Sequence, residues 1–268
     1  MGVEKTTTGS ASPVGVVLAA GQGVRMRSDL PKVVHPVGGR AMVCAVVDAC
    51  LDAGCERVIV VVGYRQEAVR AALAEYGPEV CFAVQAEQLG TGHAVLSARR
   101  ELEGLAEGTA VFVLCGDGPL IRAETLRKLL SRHRASGAAA TLATAVLNDP
   151  AGYGRVVRDE AGRFREIVEE KAATPEQRSI REVNPSYYCF EAGALLRALE
   201  RVRRNPASGE YYVTDVPTLL LAEGARVEVI DAVPAQDVLS INTPEQLAEV
   251  DRIFRSRAGA RVSAGRGS

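Results

Sequence analysis

The sequence has almost no net charge, and this limits its partners. It holds 32 Lys and Arg residues against 33 Asp and Glu residues, a formal net charge of −1 over 268 residues. Such a balance provides no general attraction for nucleic acid or for an anionic membrane surface. We therefore expect neither kind of partner, and any site for an anion must be local.

Metal-binding cysteine pairs and long apolar runs are missing as well. The six cysteines include no CxxC pair, which argues against a zinc cage or a disulfide framework. Apolar runs such as VIVVV are far shorter than the ~20 residues that cross a bilayer, and the N-terminus lacks the apolar core of a signal peptide. The pattern favours a reduced, cytoplasmic protein.

Apolar strands alternate with amphipathic helices in the first half of the chain. The runs VGVVLAA, RVIVVV and TAVFVL each precede a helical pattern, such as the apolar stripe from Val43 to Cys50. This order predicts an α/β fold that is Rossmann-like, with a mostly parallel central sheet and helices on both faces. Ligands bind beyond the carboxyl ends of such strands, so the loops 21–33, 85–92 and 115–120 form the candidate site.

The second half of the chain is richer in strands. Strand-like segments joined by polar turns surround one short helix near 192–203, and a last amphipathic helix is predicted from Pro244 to Phe254. The Arg, Gly and Ser content of residues 255–268 predicts a flexible tail. Residues 1–14, at the other end, are typical of a disordered leader. A single domain over 15–254 remains.

A glycine-rich loop with two cations follows the first strand. In LAAGQGVRMRSDLPK, Gly21 and Gly23 let backbone N–H groups approach phosphate oxygens, while Arg25 and Lys32 neutralise charge. The loop is not a dinucleotide fingerprint, because Met26 stands at the third glycine, and the P-loop pattern GxxxxGK[ST] is absent from the chain. Two interpretations of this loop stay open, a site for a triphosphate and a glycine turn flanked by solvated cations.

Further motifs agree, in order, with those of one enzyme family. LAAGQGVRMRSDLPKVVHPVGGRAM resembles the signature loop of bacterial N-acetylglucosamine-1-phosphate uridylyltransferases, the pyrophosphorylase domain of bifunctional enzymes in the sugar-nucleotidyltransferase superfamily. QAEQLGTGHA, GDGPLI, GYGRVV, IVEEKAATPEQRSIREVN, GEYYVTD and SINTPEQL are similar to later motifs of that family. The resemblance runs from about Gly15 to about Phe254, and ordered agreement is more specific than any single motif.

The resemblance implies a nucleotide-binding half over 15–138. It places Arg25 and Lys32 on the phosphates as the catalytic cations. The residues it places around the nucleotide are Leu18, Ala19, Ala20, Gly21, Gln85, Gly90 and Thr91. Gln85 would read the uracil edge, since an amide offers both a donor and an acceptor. The alternative for Gln85 is an ordinary surface glutamine.

The resemblance also implies Mg²⁺ as cofactor, held by Asp117 and Asn242. Asp117 follows an apolar strand, where its carboxylate would face a ligand, and hard oxygen ligands suit a magnesium ion that bridges phosphates. Two alternatives stay open. Asp117 precedes Gly-Pro and could be a turn residue, and Asn242 precedes Thr-Pro and could be a helix cap.

A sugar-binding half over 139–254 follows from the same resemblance. The residues carried over to the sugar phosphate are Gly154, Glu169, Asn184, Tyr212 and Thr214. Carboxylate and amide groups suit the hydroxyl and acetamido groups of such a sugar, although Glu169 could instead pair with Lys171. We take His35 and His93 as structural, because the implied reaction requires no histidine base.

The chain departs from the family pattern in three places. Asn184-Pro185-Ser186 stands where the family usually has Asn-Thr-Gly, so a fixed φ replaces a flexible glycine and the identity of the sugar is open. Cys115 replaces a usual tyrosine, and Gly118 a larger residue. The hexapeptide-repeat acetyltransferase domain that commonly follows has no counterpart here, so we expect no acetyl transfer.

The activity that the resemblance implies uses two small molecules. The uridylyl group of UTP is transferred to N-acetylglucosamine 1-phosphate, giving pyrophosphate and UDP-N-acetylglucosamine, a cell-wall precursor. Two alternatives remain, a transferase for another sugar 1-phosphate or nucleoside triphosphate such as dTTP, and a non-catalytic regulator that binds nucleotide sugars. The sequence does not define the oligomeric state.

Overall fold

The computed structural model of the chain describes residues 11–264, and the side chains as far as Arg257. Its strands are β1 (Val14–Ala19), β2 (Pro36–Val37), β3 (Arg40–Ala41), β4 (Arg57–Val62), β5 (Val80–Val84), β6 (Ala110–Cys115), β7 (Ala140–Val146), β8 (Gly154–Arg158), β9 (Phe164–Val168), β10 (Glu182–Glu191) and β11 (Val227–Asp231). Its helices are α1 (Met42–Asp52), α2 (Gln66–Ala72), α3 (Thr91–Ser97), α4 (Arg99–Glu103), α5 (Ala123–Ser136), α6 (Pro175–Arg178), α7 (Ala192–Leu199), α8 (Asp215–Ala222) and α9 (Pro244–Ala264).

The central strands are buried on both faces. In β1, Val14 and Val16 point to one face of the sheet and Val17 and Ala19 to the other, and all four side chains are buried. Because successive side chains of a strand alternate in direction, an uninterrupted apolar run requires cover on both sides. The helices α1, α5 and α9 provide it on one face, and α3, α4, α7 and α8 on the other. The predicted fold class is confirmed.

The order of the parallel strands creates a crevice in the middle of the sheet. The order along the sheet is β11, β7, β10, β6, β1, β4, β5, with β1 paired in parallel to both β4 and β6. The chain starts in the centre at β1, moves outward through β4 and β5, and then returns to the other side of β1 as β6. The crossovers beside β1 therefore leave in opposite directions, and the crevice beyond its carboxyl end is where ligands bind in such sheets.

Strand β10 runs against its neighbours. It pairs antiparallel with β6, with Tyr187 opposite Leu114, and antiparallel with β7 on its other side. The beginning of β10 thus lies at the carboxyl end of β6, beside the crevice. Its Val183 and Asn184 also pair with the first residues of β8, which forms a hairpin with β9. The sequence pattern did not predict this reversal.

The ends of the domain differ from the sequence-based bounds. Val14 already belongs to β1, and Pro13 before it is buried with its carbonyl oxygen accepting from the N–H of Glu56, so the predicted leader over 1–14 is wrong at its end. Residues 1–10 lie outside the described range. At the other end, α9 continues from Pro244 to Ala264. The predicted flexible tail from residue 255 is therefore helical as far as Ala264, and residues 265–268 lie outside the described range.

Charged contacts explain why α9 continues past Phe254. Arg255 forms an i,i+4 pair with Asp251, its Nε lying 2.7 Å from Oδ2. Arg257 reaches Asp237, with Nη2 2.5 Å from Oδ1, and also donates to the carbonyl oxygen of Leu120 at 3.2 Å. An Arg-rich composition predicted flexibility, but these arginines have partners within reach.

Among the described residues, no helix is both long and apolar enough to cross a membrane.

The helix α8 was not predicted at all. Its sequence DVPTLLLA contains Pro217, which argues against a helix when it stands in the interior. In the structure this proline lies in the first turn, where the missing N–H group would have had no partner in any case. The predicted helix near 192–203 is present as α7, and it ends earlier, at Leu199.

Asp237 holds the C-terminal helix against the loop after β6. Its side chain is 1% exposed and carries two arginine partners. Nη2 of Arg122 donates to Oδ1 at 3.0 Å, while Nε of Arg122 lies 2.5 Å from Oδ2 without the alignment of a hydrogen bond. The second partner is Arg257. One buried carboxylate thus joins α9 to the chain segment that follows β6.

Replacing Asp237→Ala should lower the free energy of unfolding by about 2 kcal/mol. The change leaves two arginines without their shared carboxylate, and each is exposed enough to regain some water, which limits the loss. Urea unfolding followed by circular dichroism measures it. Glu103→Ala, which breaks an exposed i,i+4 pair with Arg99, is the control and should cost no more than about 0.5 kcal/mol. Equal losses in the two variants would contradict the assignment.

Candidate active site

Four of the sequence-predicted residues meet in the crevice beside β1. Nζ of Lys32 donates to the carboxylate of Asp117 and, at 3.0 Å, to Oδ1 of Asn242. The same Oδ1 accepts a second hydrogen bond, at 2.8 Å, from Nη2 of Arg25. The alternative of a solvated cation is therefore wrong for Lys32, whose side chain is 17% exposed, whereas Arg25 makes its contact at an exposed position.

The glycine-rich loop folds closely over Lys32. Gly23 has a φ of 70°, and a Cβ at this position would lie 2.5 Å from Cβ of Lys32. Any other residue would both strain the backbone and push Lys32 away from the crevice. A glycine at position 23 is therefore needed to let Lys32 stay in its place. At Gly21, by contrast, a Cβ would meet no atom within 4 Å. Met26 and Val33 are buried and anchor the loop on either side.

Asp117 is held by its backbone, which leaves its side chain free for the crevice. The N–H of Gly116 donates to Leu18 O at 2.9 Å and continues the pairing of β6 with β1, and the N–H of Ile241 donates to Asp117 O at 3.0 Å. The carboxylate binds Lys32, as described above, rather than a backbone N–H of its own turn. Asp117 does lie in a turn, as that alternative holds, but its carboxylate is engaged by Lys32 rather than by the turn.

The start of α9 settles the role of its neighbouring polar residues. Oγ1 of Thr243 accepts from the N–H of Gln246 at 3.3 Å, and Oε1 of Gln246 accepts from the N–H of Asn242 at 2.8 Å. Thr243 is therefore the cap, and Pro244 takes the first helical position, which suits proline. The alternative that Asn242 caps the helix is wrong, and its side chain faces the crevice.

The first cleft contains every residue predicted to surround the nucleotide. It encloses about 280 Å³ beside Lys32 and Asp117. The predicted residues that line it are Leu18, Ala19, Ala20, Gly21, Gln85, Gly90 and Thr91. The sequence assigned no role to two further residues that line it, Gln88 and Glu210, although both stand inside motifs that carry the resemblance.

A backbone clasp shapes the far wall of this first cleft. The N–H of Tyr211 donates to Leu89 O at 2.8 Å, and the N–H of Gly92 donates to Tyr211 O at 2.7 Å. Gly90 has a φ of 102°, and a Cβ there would lie 2.6 Å from Tyr211 O. Oγ1 of Thr91 completes the clasp by accepting from the N–H of Val213 at 3.0 Å. The motifs QAEQLGTGHA and GEYYVTD are therefore adjacent in space.

Gln85 is buried, so the alternative of a surface glutamine is wrong. Its residue surface is 3% exposed, and its backbone N–H donates to Val62 O at 2.8 Å. Its Nε2 lies 3.1 Å from both Gly90 O and Nδ1 of His93. The side chain is thus fixed in the wall of the first cleft.

A second cleft of about 280 Å³ adjoins the first, and Cys115 and Asp117 line both. Of the residues predicted for the sugar phosphate, Gly154, Glu169 and Asn184 line it, together with Arg25 and Asn242. Tyr212 and Thr214 do not. They line an adjoining depression that shares Glu169 with the second cleft. The cation cluster therefore lies where the two clefts meet.

Glu169 is tied to Thr214 rather than to Lys171. The hydroxyl of Thr214 donates to Oε1 of Glu169 at 3.0 Å, and among the described side chains no ion pair joins Glu169 to Lys171. Burial raises the pKa of the Glu169 carboxyl, and the hydrogen bond from Thr214 opposes that rise. The alternative of a surface ion pair with Lys171 is therefore wrong, and Glu169 presents a partly desolvated carboxyl to the second cleft.

Cys115 stands between the two clefts, and sequence analysis gave it no role. Burial raises the pKa of its thiol to about 12, with the charge of Asp117 acting in the same direction. The thiol thus stays protonated and contributes a small, weakly polar surface. Tyr153 and Ser240 also line the second cleft without having been predicted. Tyr153 belongs to the GYGRVV motif, which was the available signal.

The sequence departure at 184–186 produces a strained turn beside this second cleft. The pairing of β10 with β7 is interrupted between Val183 and Tyr187, where Pro185 offers no N–H to the ladder. Ser186 has a φ of 64°, in the left-handed region that favours glycine. Asn184 is held on both sides, since Nδ2 donates to Tyr188 at 2.6 Å and Oδ1 accepts from the N–H of Ser186 at 3.2 Å.

Comparison with known proteins identifies the family. A sequence model of the MobA-like NTP transferase domain matches residues 15–208, more than half of the chain. The chain belongs to this family. The MobA-like NTP transferase domain accounts for β1 to β10, and it ends before Asn242. Its substrates as a family are small molecules.

Curated relatives are similar over nearly the whole chain. Three that carry the name bifunctional protein GlmU come from Heliobacterium modesticaldum (47% identical over 242 residues, 90% of this chain and 52% of the relative), Pelotomaculum thermopropionicum (50% over 242 residues, 90% and 52%) and Solibacter usitatus (45% over 250 residues, 93% and 53%). The chain thus spans about half the length of the curated relatives it matches.

The strained turn gives a testable prediction. Ser186→Gly should raise the free energy of unfolding by about 0.5–1 kcal/mol, because relief of the left-handed backbone exceeds the entropy that glycine loses on folding. Chemical denaturation measures the change. Ser256→Gly in the exposed part of α9 is the matched control and should lower it by about 0.5 kcal/mol. A loss of stability in Ser186→Gly would show that the serine is not strained.

Proposed function

We propose that this domain transfers the uridylyl group of UTP to N-acetylglucosamine 1-phosphate, giving UDP-N-acetylglucosamine and pyrophosphate. UTP would occupy the first cleft and the sugar phosphate the second. Support comes from the family, from the similarity to relatives named bifunctional protein GlmU, and from the motifs that resemble N-acetylglucosamine-1-phosphate uridylyltransferases. A reduced, cytoplasmic setting for this reaction agrees with its six free cysteines.

The observation that carries the proposal is the cluster where the two clefts meet. Arg25, Lys32, Asp117 and Asn242 come from three separate segments, yet they form one hydrogen-bonded group. A phosphate anhydride in the first cleft and a phosphate monoester in the second would both point toward this group. Two cations at the junction suit a reaction in which negative charge is redistributed between phosphates.

The reaction needs alignment and charge neutralisation. An oxygen of the sugar 1-phosphate attacks the α-phosphorus of UTP in line with the bond to the β-phosphate. A new P–O bond forms as the bond to pyrophosphate breaks, and pyrophosphate leaves without a covalent enzyme intermediate. The nucleophile is already ionised, so no general base is required. Arg25 and Lys32 offset the charge of the attacking and leaving groups.

The residues at the junction fit a magnesium ion. The carboxylate of Asp117 and the amide oxygen of Asn242 both contact the single ammonium group of Lys32, so the two oxygens lie close enough to share one cation. They are hard oxygen donors, and phosphates would complete the shell, as is usual for Mg²⁺. When bound, the ion would neutralise phosphate charge.

The sugar phosphate of the second cleft has a second candidate. Asn184 donates one amide hydrogen to Tyr188 and accepts from the N–H of Ser186 with one lone pair of its oxygen. One amide hydrogen and one lone pair remain for a ligand. Pro185 and Ser186 reshape the wall beside it. Glucose 1-phosphate, which lacks the acetamido group, is therefore the second candidate for this site.

Pyrophosphate release with defined substrate pairs tests the proposal. The purified protein is incubated with Mg²⁺, UTP and either N-acetylglucosamine 1-phosphate or glucose 1-phosphate, with the other nucleoside triphosphates in parallel and EDTA as the blank. We expect release with UTP and N-acetylglucosamine 1-phosphate, abolished by EDTA. Release with another pair would reassign the substrate, and binding of UTP without release in any mixture would make the domain a nucleotide-binding regulator.

Removing one charge at the junction should lower turnover strongly. Arg25→Ala and Asp117→Ala should each reduce kcat by at least ~10², the scale for loss of one contact to transition-state charge. Steady-state pyrophosphate release measures kcat. The matched control is Arg27→Ala, since Arg27 is an exposed arginine of the same loop that lines neither cleft. Its rate should stay within about twofold, and wild-type rates in the first two variants would refute the proposal.

A further inference from the structure

The amide group of Gln85 has its orientation fixed from behind the first cleft. Its Nε2 lies 3.1 Å from the carbonyl oxygen of Gly90. A carbonyl oxygen only accepts hydrogen bonds, so the amide atom facing it must be the NH₂ group. This contact alone distinguishes the two ends of the amide.

His93 supplies a second partner to the same nitrogen. Its Nδ1 lies 3.1 Å from Nε2 of Gln85, and the ring lies behind Gln85 rather than in the lining of the cleft. Because the NH₂ group can only donate, this contact is a hydrogen bond in the tautomer whose Nδ1 accepts and whose ring N–H is on Nε2. The two acceptors leave the amide oxygen of Gln85 as the group available to a ligand.

The position of the His93 ring is itself well determined. Gly90 has the sharp backbone bend that begins α3, and His93 lies in the first turn of this helix. The hydroxyl of Ser97 donates to the backbone oxygen of His93 at 2.9 Å. The ring of Tyr211, from the clasp segment, stands with its centroid 6.3 Å from the His93 ring. The helix thus fixes the backbone of His93, and the ring of Tyr211 bounds the half-buried imidazole on one side.

We propose that His93 is a positioning residue that acts together with the carbonyl oxygen of Gly90 to set the choice between pyrimidine bases. The inference rests on the proposed binding of a nucleotide in the first cleft. Uracil carries a hydrogen on N3, which the amide oxygen of Gln85 accepts. Cytosine carries a lone pair on N3, which would face the same oxygen and leave two acceptors unpaired. By holding the amide in one orientation, His93 favours UTP over CTP without contacting either.

Loss of the acceptor at Nδ1 should weaken this discrimination. In His93→Ala, only Gly90 O opposes rotation of the amide, and the rotated form would present NH₂ to the base and tolerate cytosine. The contribution of one hydrogen bond corresponds to a factor of about three- to tenfold in an affinity ratio. His93→Asn is the conservative variant, because its side-chain oxygen occupies nearly the position of Nδ1 and can accept from Gln85.

The experiment measures dissociation constants of UTP and CTP for the full chain by calorimetry, in wild type, His93→Ala and His93→Asn. We expect the CTP-to-UTP ratio of Kd to fall about three- to tenfold in His93→Ala and to stay within about twofold of wild type in His93→Asn. Thermal unfolding of each variant shows whether the fold is retained. A merely structural histidine would weaken both nucleotides equally and leave the ratio unchanged, which would overturn the inference.

The proposal for His93 and the proposed function can fail independently of each other. If wild type binds UTP selectively but releases no pyrophosphate, the transferase proposal fails and the ratio in His93→Ala still decides the role of His93. If pyrophosphate release proceeds with UTP and the ratio is the same in all three proteins, the function stands and the inference fails. If wild type binds CTP as tightly as UTP, the inference fails as well.

Discussion

The ammonium group of Lys32, held between two oxygen atoms, is the contact on which the candidate site depends. Its partners, Asp117 and Asn242, belong to the loop after β6 and to the start of α9, while Lys32 itself follows β1. A single cation thus joins three segments that are distant in the chain. The close packing of Gly23 over Lys32 and the buried Asp237 beneath the neighbouring loops both keep this arrangement in place. Residues of this contact line both clefts, Lys32 and Asp117 in the first and Asp117 and Asn242 in the second.

Much of the fold follows from local patterns. The apolar runs of β1, β4 and β6 predict buried parallel strands, and their order predicts a crevice at their carboxyl ends. The reversal of β10 could not be predicted, because an apolar strand has the same pattern in either direction. The helix α8 was missed because the second half of the chain was interpreted as strands around a single short helix, ahead of the last helix. Composition predicted a flexible tail and could not show that Arg257 reaches Asp237.

The candidate site depends on contacts that no spacing reveals. Arg25 and Asn242 are 217 positions apart, and their side chains are hydrogen-bonded. Motif resemblance selected both residues, but the alternatives of a solvated cation and a helix cap could be decided only by seeing which atoms meet. The departure at Pro185 and Ser186 was visible in sequence, yet its physical effect, a serine in a left-handed conformation, required the backbone. His93 was taken as structural because the implied reaction requires no histidine base, and its contact with Gln85 is visible only in the structure.

The reversed direction of β10 has a consequence for how this domain can diverge. Parallel strands present the residues that follow them to the crevice, and the loops after β1, β5 and β6 line the first cleft. An antiparallel strand presents the residues that begin it, so Asn184, Pro185 and Ser186 reach the second cleft from the opposite end of their strand. Substitutions there leave β1 and β4 untouched. Selection can therefore alter the wall of the second cleft while most of the first cleft is inherited unchanged.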